Sequence, residues 1–242
     1  MVAKRTYPPF RFKQFTVSHD RSAMKLGVDA VLLSCWLPEN NYQNALDVGA
    51  GCGIISLVMA QRFPQCQIQA VEIEPNAFEE ASLNFKNSPW SDRLTIHHQS
   101  FEAFLKKNAT DLDLIISNPP YFLESKTSQS ESRTKARHAT DFDFEQFFKL
   151  SAAGSIDSAA LAMVFPNDQS TFLIDHGKAA GWYLKKHTEV YPMPHKKIKR
   201  GLFLFTKQAG QEVVRDSLIL ELERGVYTKE YSELVKDFYL HF

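Results

Sequence analysis

Four consecutive residues near the middle of the chain, Asn118-Pro119-Pro120-Tyr121, have the chemistry to hold a planar amide or an exocyclic amine while a carbon group is transferred to its nitrogen. An adenine amino group is a poor nucleophile because its lone pair is delocalised into the ring. The Asn118 side-chain oxygen and the Pro119 carbonyl can accept its two N–H bonds. They would then favour a tetrahedral nitrogen whose lone pair is aimed at the electrophile. Two successive prolines fix φ and offer no N–H of their own, which points that carbonyl in a set direction. Tyr121 adds a flat face for a base, worth about 1–3 kcal/mol where single strands stack on aromatic rings. The same residues also suit a plain turn closing a strand, with Tyr121 as packing, so other residues must decide.

A second set is Asp47-Val48-Gly49-Ala50-Gly51-Cys52-Gly53, followed downstream by Glu72 and Ile73. Glycines let backbone approach a ligand closely, and a helix N-terminus favours polar or negative groups. The dinucleotide fingerprint would require G-x-G-x-x-G, whereas here the glycines run G-x-G-x-G behind an acid. With no pyrophosphate to cradle, Asp47 can face a cationic amino-acid moiety. Glu72 ends the next apolar run, where its carboxylate could hold both hydroxyls of a ribose, and Ile73 could pack on a nucleobase. S-adenosylmethionine contains all three parts and is the cofactor this pattern implies. A tight strand–helix corner accounts for the glycines alone, but not for the two acids.

The elements that must carry these residues can be read from periodicity. From Asn44 onward, short β-branched runs alternate with helical ones: strands at Asn44–Val48, Gln67–Glu72, Leu94–His98, Leu112–Ile116 and Ala159–Phe165, and helices at Gly53–Phe63, Pro75–Asn87, Phe101–Lys107, Phe144–Ala153 and Gln169–Ala179. The final runs, Tyr183–Tyr191 and Leu202–Lys207, look like a closing antiparallel pair. Such alternation predicts an α/β fold with a mostly parallel sheet and helices on both faces. Both candidate motifs then fall at C-terminal ends of strands, where open α/β sheets bind ligands. One domain over residues 1–242 is the economical reading. Residues 1–40 form an N-terminal extension packing on the cofactor side, with a helix in Val28–Leu37. Residues 124–140, polar and rich in Ser and Thr, form either a mobile substrate loop or a plain surface loop.

Bulk properties exclude some classes. The 242 residues, 44% hydrophobic and 23% charged, suit a globular protein with one sizeable core. No apolar run is long enough to cross a bilayer. The first residues carry no apolar core of a signal peptide, and Cys35, Cys52 and Cys66 show no metal-ligand spacing, so the expectation is a cytoplasmic protein without a metal. Formal net charge is zero. Support for nucleic-acid binding must therefore be local. The sequence leaves the oligomeric state open, with a monomer as the default.

These residues resemble the Rossmann-like class I methyltransferases that use S-adenosylmethionine. The order is theirs: glycine motif, acid after the second strand, N-P-P-Y after the fourth. The N-P-P-Y resembles that of enzymes methylating nitrogens conjugated to a π system, adenine N6 or a glutamine side-chain amide. A longer stretch, Phe12-Lys13-Gln14-Phe15-x-Val17-x-His19-Asp20-x4-Lys25-x-Gly27-x-Asp29, together with Asn87-Ser88-Pro89-Trp90, is similar to the bacterial valine-tRNA (adenine-37-N6) methyltransferases. The resemblance implies a seven-stranded, mostly parallel sheet with an antiparallel closing strand. It also implies cofactor contacts from Lys25, Gly27, Asp29, Asp47, Gly49, Gly51, Gly53, Glu72, Ile73 and Asn118, and catalysis by Asn118, Pro119, Pro120 and Tyr121. Where many relatives carry an Asp after the third strand, this chain reads His98-Gln99-Ser100-Phe101. Ser100 could accept one hydrogen bond from the cofactor's adenine and Phe101 could stack on it.

The substrate implied is an adenine in tRNA, at position 37 beside the valine anticodon; methylation of a protein glutamine and a silent cofactor-binding scaffold are the alternatives. No separate N-terminal domain of the kind seen in glutamine methyltransferases is evident, nor a DNA target-recognition domain. No general base is required, because the methylated amine becomes acidic enough to lose its proton afterwards. His19, His97, His98 and His138 therefore read as structural or solvated. Phosphate contacts dominate RNA affinity, and three local clusters could make them. The densest is His195-Lys196-Lys197-Ile198-Lys199-Arg200. Lys4, Arg5, Arg11 and Lys13 interleave with Phe10, Phe12 and Phe15. Lys126, Arg133, Lys135 and Arg137 lie in the 124–140 segment.

Overall fold

A computed structural model describes residues 7–22, 26–108, 111–120 and 142–241. Lys25, Tyr121, Arg133, Lys135, Arg137 and the whole 124–140 segment lie outside them. In chain order the strands are β1 (Phe10–Arg11), β2 (Thr16–Val17), β3 (Asn44–Val48), β4 (Gln67–Glu72), β5 (Leu94–His98), β6 (Leu112–Ser117), β7 (Ser155–Pro166), β8 (Tyr183–Tyr191), β9 (Arg200–Thr206), β10 (Val214–Ile219), β11 (Glu221–Glu223) and β12 (Val226–Tyr227). The helices are α1 (Val28–Trp36), α2 (Ile54–Arg62), α3 (Pro75–Lys86), α4 (Phe101–Lys107), α5 (Phe144–Ala153), α6 (Ser170–Ala179) and α7 (Lys229–Val235).

The main sheet has the order β10-β8-β9-β7-β6-β3-β4-β5. Strands β3 to β7 run parallel, and β9 runs antiparallel to both β7 and β8. Seven of these strands are those expected. Two features differ from the sequence reading. The antiparallel strand β9 sits inside the sheet instead of closing its edge. An eighth strand, β10, pairs parallel to β8 at that edge. Its sequence, Val-Arg-Asp-Ser-Leu-Ile, exposes its first four residues, so it lacks the apolar run that marks a buried strand, as suits an edge.

The central strands are buried on both faces and read as near-continuous apolar runs. Alternate residues feed two cores. On one face, Ala45 and Ala70 meet α1, α2, α7 and the N-terminal Phe12, Phe15 and Val17. On the other, Leu46 and Val48 meet helices α4, α5 and α6, with Phe104 of α4, Phe148 of α5 and Phe203 and Phe205 of β9 fully buried. Helix starts follow their side chains: Glu74 caps α3 by accepting from Ala77 N at 2.7 Å with Pro75 in the first turn, and Asp143 caps α5 by accepting from Gln146 N at 2.8 Å.

The order of connection decides where a ligand can sit. From β3 the chain moves outward to β4 and β5, then returns to place β6 on the other side of β3. The crevice above β3 and β6 is thus the topological switch point of the sheet, and it lies at the strands' C-terminal edge.

Candidate active site

Each of the three strands that meet at the switch point ends in a candidate motif. The glycine loop follows β3, Glu72 ends β4, and Asn118-Pro119 follow β6. The loop folds back on β4, where Gly49 N and Ala50 N donate to Val71 O at 3.0 and 3.2 Å. It closes by a bond from Gly53 N to Ala50 O at 2.8 Å, which starts α2. Gly51 has φ +56° and no atom within 4 Å of where a Cβ would stand. That position is open space above the loop, as a cradle for a ligand requires. The fully buried Ser117 ties the two crevice strands together, its Oγ donating to Val48 O at 2.8 Å. Beyond it Asn118 is half-buried and Pro119 buried.

Glu72 is held more firmly by the protein than the sequence reading expected. Its Oε2 accepts from Gly51 N at 2.8 Å, and its Oε1 accepts from Ile73 N at 2.8 Å and Glu74 N at 2.9 Å. A carboxylate offers roughly four lone-pair positions. With three engaged, Glu72 has room for about one further donor, not for both hydroxyls of a ribose with full freedom. It acts first as the brace of the glycine loop. Beside it Ile73 is 67% exposed, an apolar side chain left uncovered at the site, and His98 Nε2 donates to its carbonyl at 3.2 Å.

Asp47 also departs from expectation. It is fully buried under α2, not facing open space, and Ser56 Oγ donates to its Oδ2 at 2.7 Å. Its Oδ1 has no hydrogen-bond partner among the described residues. Burial pushes its carboxyl up to about 7, against a smaller opposing effect of the hydrogen bonds from Ser56. A buried acceptor without a donor marks a place where a donor is missing.

Several other expected residues have different work. Ser100 caps α4, its Oγ accepting from Ala103 N at 3.2 Å. Phe101 is buried in the second core with its ring 5.7 Å from that of Phe147, so it does not offer a face to a base. Gly27 is the N-cap residue of α1. Asp29, two residues on, accepts from Arg200 Nε at 2.7 Å in a half-buried ion pair. These two residues, expected to contact cofactor and RNA respectively, join α1 to β9 through this pair. Lys13 is exposed, and its Nζ donates to Lys236 O at 2.5 Å, which ties it to the C-terminal segment. Lys196, Lys197 and Lys199 remain exposed on the loop between β8 and β9. Because Pro166 pairs with Arg200 and Val190 pairs with Arg200, that loop leaves the sheet at the catalytic edge.

Sequence reasoning missed Ser56 and Ser117, whose bonds span neighbouring elements, and two polar residues of α3. Glu80 and Asn84 are buried although they lie beside the apolar positions Ala77, Ala81 and Phe85. A polar pair four apart next to an apolar helical stripe was the available signal.

Comparison with known proteins agrees with this architecture. Residues 22–141 match the profile of the methyltransferase small domain family. The fold is that of a protein from Agrobacterium tumefaciens described as a predicted O-methyltransferase, with a TM-score of 0.67 at 19% identity over 87% of this chain and 96% of that one. A type I restriction-modification methyltransferase subunit from Streptococcus thermophilus aligns with a TM-score of 0.59 at 16% identity, over 90% of this chain and 52% of its own. The fold and site thus define a Rossmann-like class I methyltransferase. More narrowly, the tRNA1(Val) (adenine(37)-N6)-methyltransferase of Flavobacterium psychrophilum is 39% identical over 96% of this chain and 99% of its own length. That of Yersinia pestis is 37% identical over 96% and 94%. The chain belongs to this family of tRNA adenine-N6 methyltransferases. No helix among the described residues is long and apolar enough to cross a membrane.

Proposed function

We propose that this protein transfers a methyl group from S-adenosylmethionine to N6 of an adenine in tRNA, at position 37 next to the valine anticodon. The observation that carries this reading is the convergence of glycine loop, Glu72 and Asn118-Pro119 on one crevice, in a chain similar to such enzymes over nearly its whole length. The residues present fit the cofactor. Gly51 leaves room for it, Ile73 offers apolar surface to its base, and Glu72 keeps capacity for one hydroxyl.

When bound, S-adenosylmethionine supplies an electrophilic methyl group on a sulfonium. The protein's part is placement. Asn118 Oδ1 and the Pro119 carbonyl accept the two N–H bonds of the target amine and Tyr121 supports the base. The lone pair is thereby aimed in line with the group being transferred. Proximity and alignment are the main sources of acceleration for such a displacement. The proton leaves the methylated nitrogen afterwards, to solvent. A base in an anticodon loop is unstacked at low cost, which suits chemistry on its edge.

The test is methyl transfer from labelled S-adenosylmethionine to tRNA lacking this modification, followed by nucleoside analysis, for the wild type and Asn118→Ala. The expected result is N6-methyladenosine with the wild type and a loss of at least about 100-fold in the variant, as for removal of one preorganised polar group. Cofactor binding without label in tRNA would move the substrate to a protein amide or leave a non-catalytic scaffold.

A further inference from the structure

Glu80 and Asn84 have no role in the chemistry above, yet both are almost fully buried, at 1% and 4% exposure. Asn84 Nδ2 donates to Ser18 O at 2.9 Å and to Cys52 O, in the glycine loop, at 2.8 Å. Its Oδ1 accepts from Ser18 N at 2.9 Å. One turn nearer the start of α3, Glu80 accepts from Arg21 N at 2.9 Å and Ser22 N at 3.0 Å, and also from Ser22 Oγ. The helix begins just after Glu72, at the catalytic edge. Arg21 and Ser22 are therefore closer to that edge than Ser18.

A buried carboxylate held by neutral donors costs desolvation that an apolar side chain would avoid. What the pair supplies is position. Gly53 packs so closely on α3 that a Cβ there would stand 2.5 Å from Phe85 Cε1. The helix thus carries both the glycine loop and the strap Val17–Ser22, with the Asn84 amide bonded to each.

We infer that Glu80 and Asn84 are positioning residues for the cofactor: they lock the Val17–Ser22 strap and the Cys52 carbonyl of the glycine loop into one wall of the cofactor site. The inference rests on the cofactor reading given above. Occupation of the loop then stiffens the strap, although the strap contributes no side chain to the reacting atoms.

Hydrogen exchange of the wild-type protein, with and without S-adenosylhomocysteine, tests this directly. Exchange should slow by about tenfold, or roughly 1.4 kcal/mol, in residues 16–22 together with residues 49–56. Protection of 49–56 alone would overturn the clamp and leave the cofactor site standing. No protection of either would overturn both. The variant Asn84→Asp keeps the acceptor but removes both N–H donors and sets a carboxylate against two carbonyls. It should bind S-adenosylhomocysteine about tenfold more weakly, as expected for one or two lost buried hydrogen bonds. Its KM for S-adenosylmethionine should rise while kcat at saturation holds. Glu80→Gln, which retains one acceptor, should fall between variant and wild type. A folded Asn84→Asp protein with wild-type affinity would refute the role.

Discussion

At the scale of single residues, the site is built from polar groups whose partners are mostly backbone. Glu72 braces a loop, Ser117 joins two strand ends, and Asp47 lies under a helix with one oxygen unsatisfied. The Asp47 carboxyl makes a signed prediction. Burial, its largest influence, lifts it from 3.8 to about 7 in the folded protein. Between those values the folded chain holds a proton that the unfolded chain has released. Stability contributed by this group is therefore full below about pH 4 and is lost as pH rises through about 7. The ligand-free wild type should lose thermal stability from pH 5 to pH 8 in excess of Asp47→Asn, which has no such proton to lose. At pH 8 the variant should be the more stable by about 1–3 kcal/mol, because the wild type then buries a charge where the variant buries a neutral amide. Parallel pH profiles for the two proteins in thermal melts would show that Asp47 is not titrating in this window.

At the scale of elements, the parallel strands and the helices between them were legible because burial on both faces demands apolar runs, as in Leu112–Ile116, and because a proline such as Pro75 announces a helix start. The motif positions followed, since a parallel strand order fixes which edge the loops share. The edge strand β10 was not legible, because four exposed residues carry no periodic apolar signal. Nor were the engagements of Lys13, Asp29 and Arg200, which depend on partners as distant as Lys236 for Lys13. The junction of β3 and α2 allows two glycines to be separated by experiment. Gly53 has φ +81° and a Cβ there would strike the Phe85 ring, whereas Gly51 at φ +56° faces open space. Each alanine carries left-handed strain of about 1–2 kcal/mol, but only Gly53→Ala adds overpacking, about 1–3 kcal/mol. Gly53→Ala should therefore melt several degrees lower than Gly51→Ala. Gly51→Ala should instead show the larger loss of S-adenosylhomocysteine affinity per degree of melting temperature lost, read by calorimetric titration.

At the scale of the whole molecule, zero net charge means that no overall field draws the protein to RNA. Attraction must come from cations left without acids. Lys106, Lys149 and Lys236 pair with glutamates along their own helices or their ends, and Arg200 pairs with Asp29. Lys196, Lys197 and Lys199 are exposed at the catalytic edge, and among the described residues none has an ion-pair partner. If they hold the phosphates of an anticodon loop, binding should depend on salt in proportion to their number. Each phosphate neutralised on a single strand contributes a slope of about −0.7 in log K against log salt, so replacing all three lysines by alanine should flatten the slope by about 2. Filter binding of unmodified tRNA across a salt series measures it directly. The same triple variant should keep wild-type affinity for S-adenosylhomocysteine, because the loop joins β8 to β9, with β7 standing between β9 and β6 in the sheet. A triple variant with an unchanged slope would remove the 192–199 loop from the RNA surface and require that tRNA approach the crevice from another side.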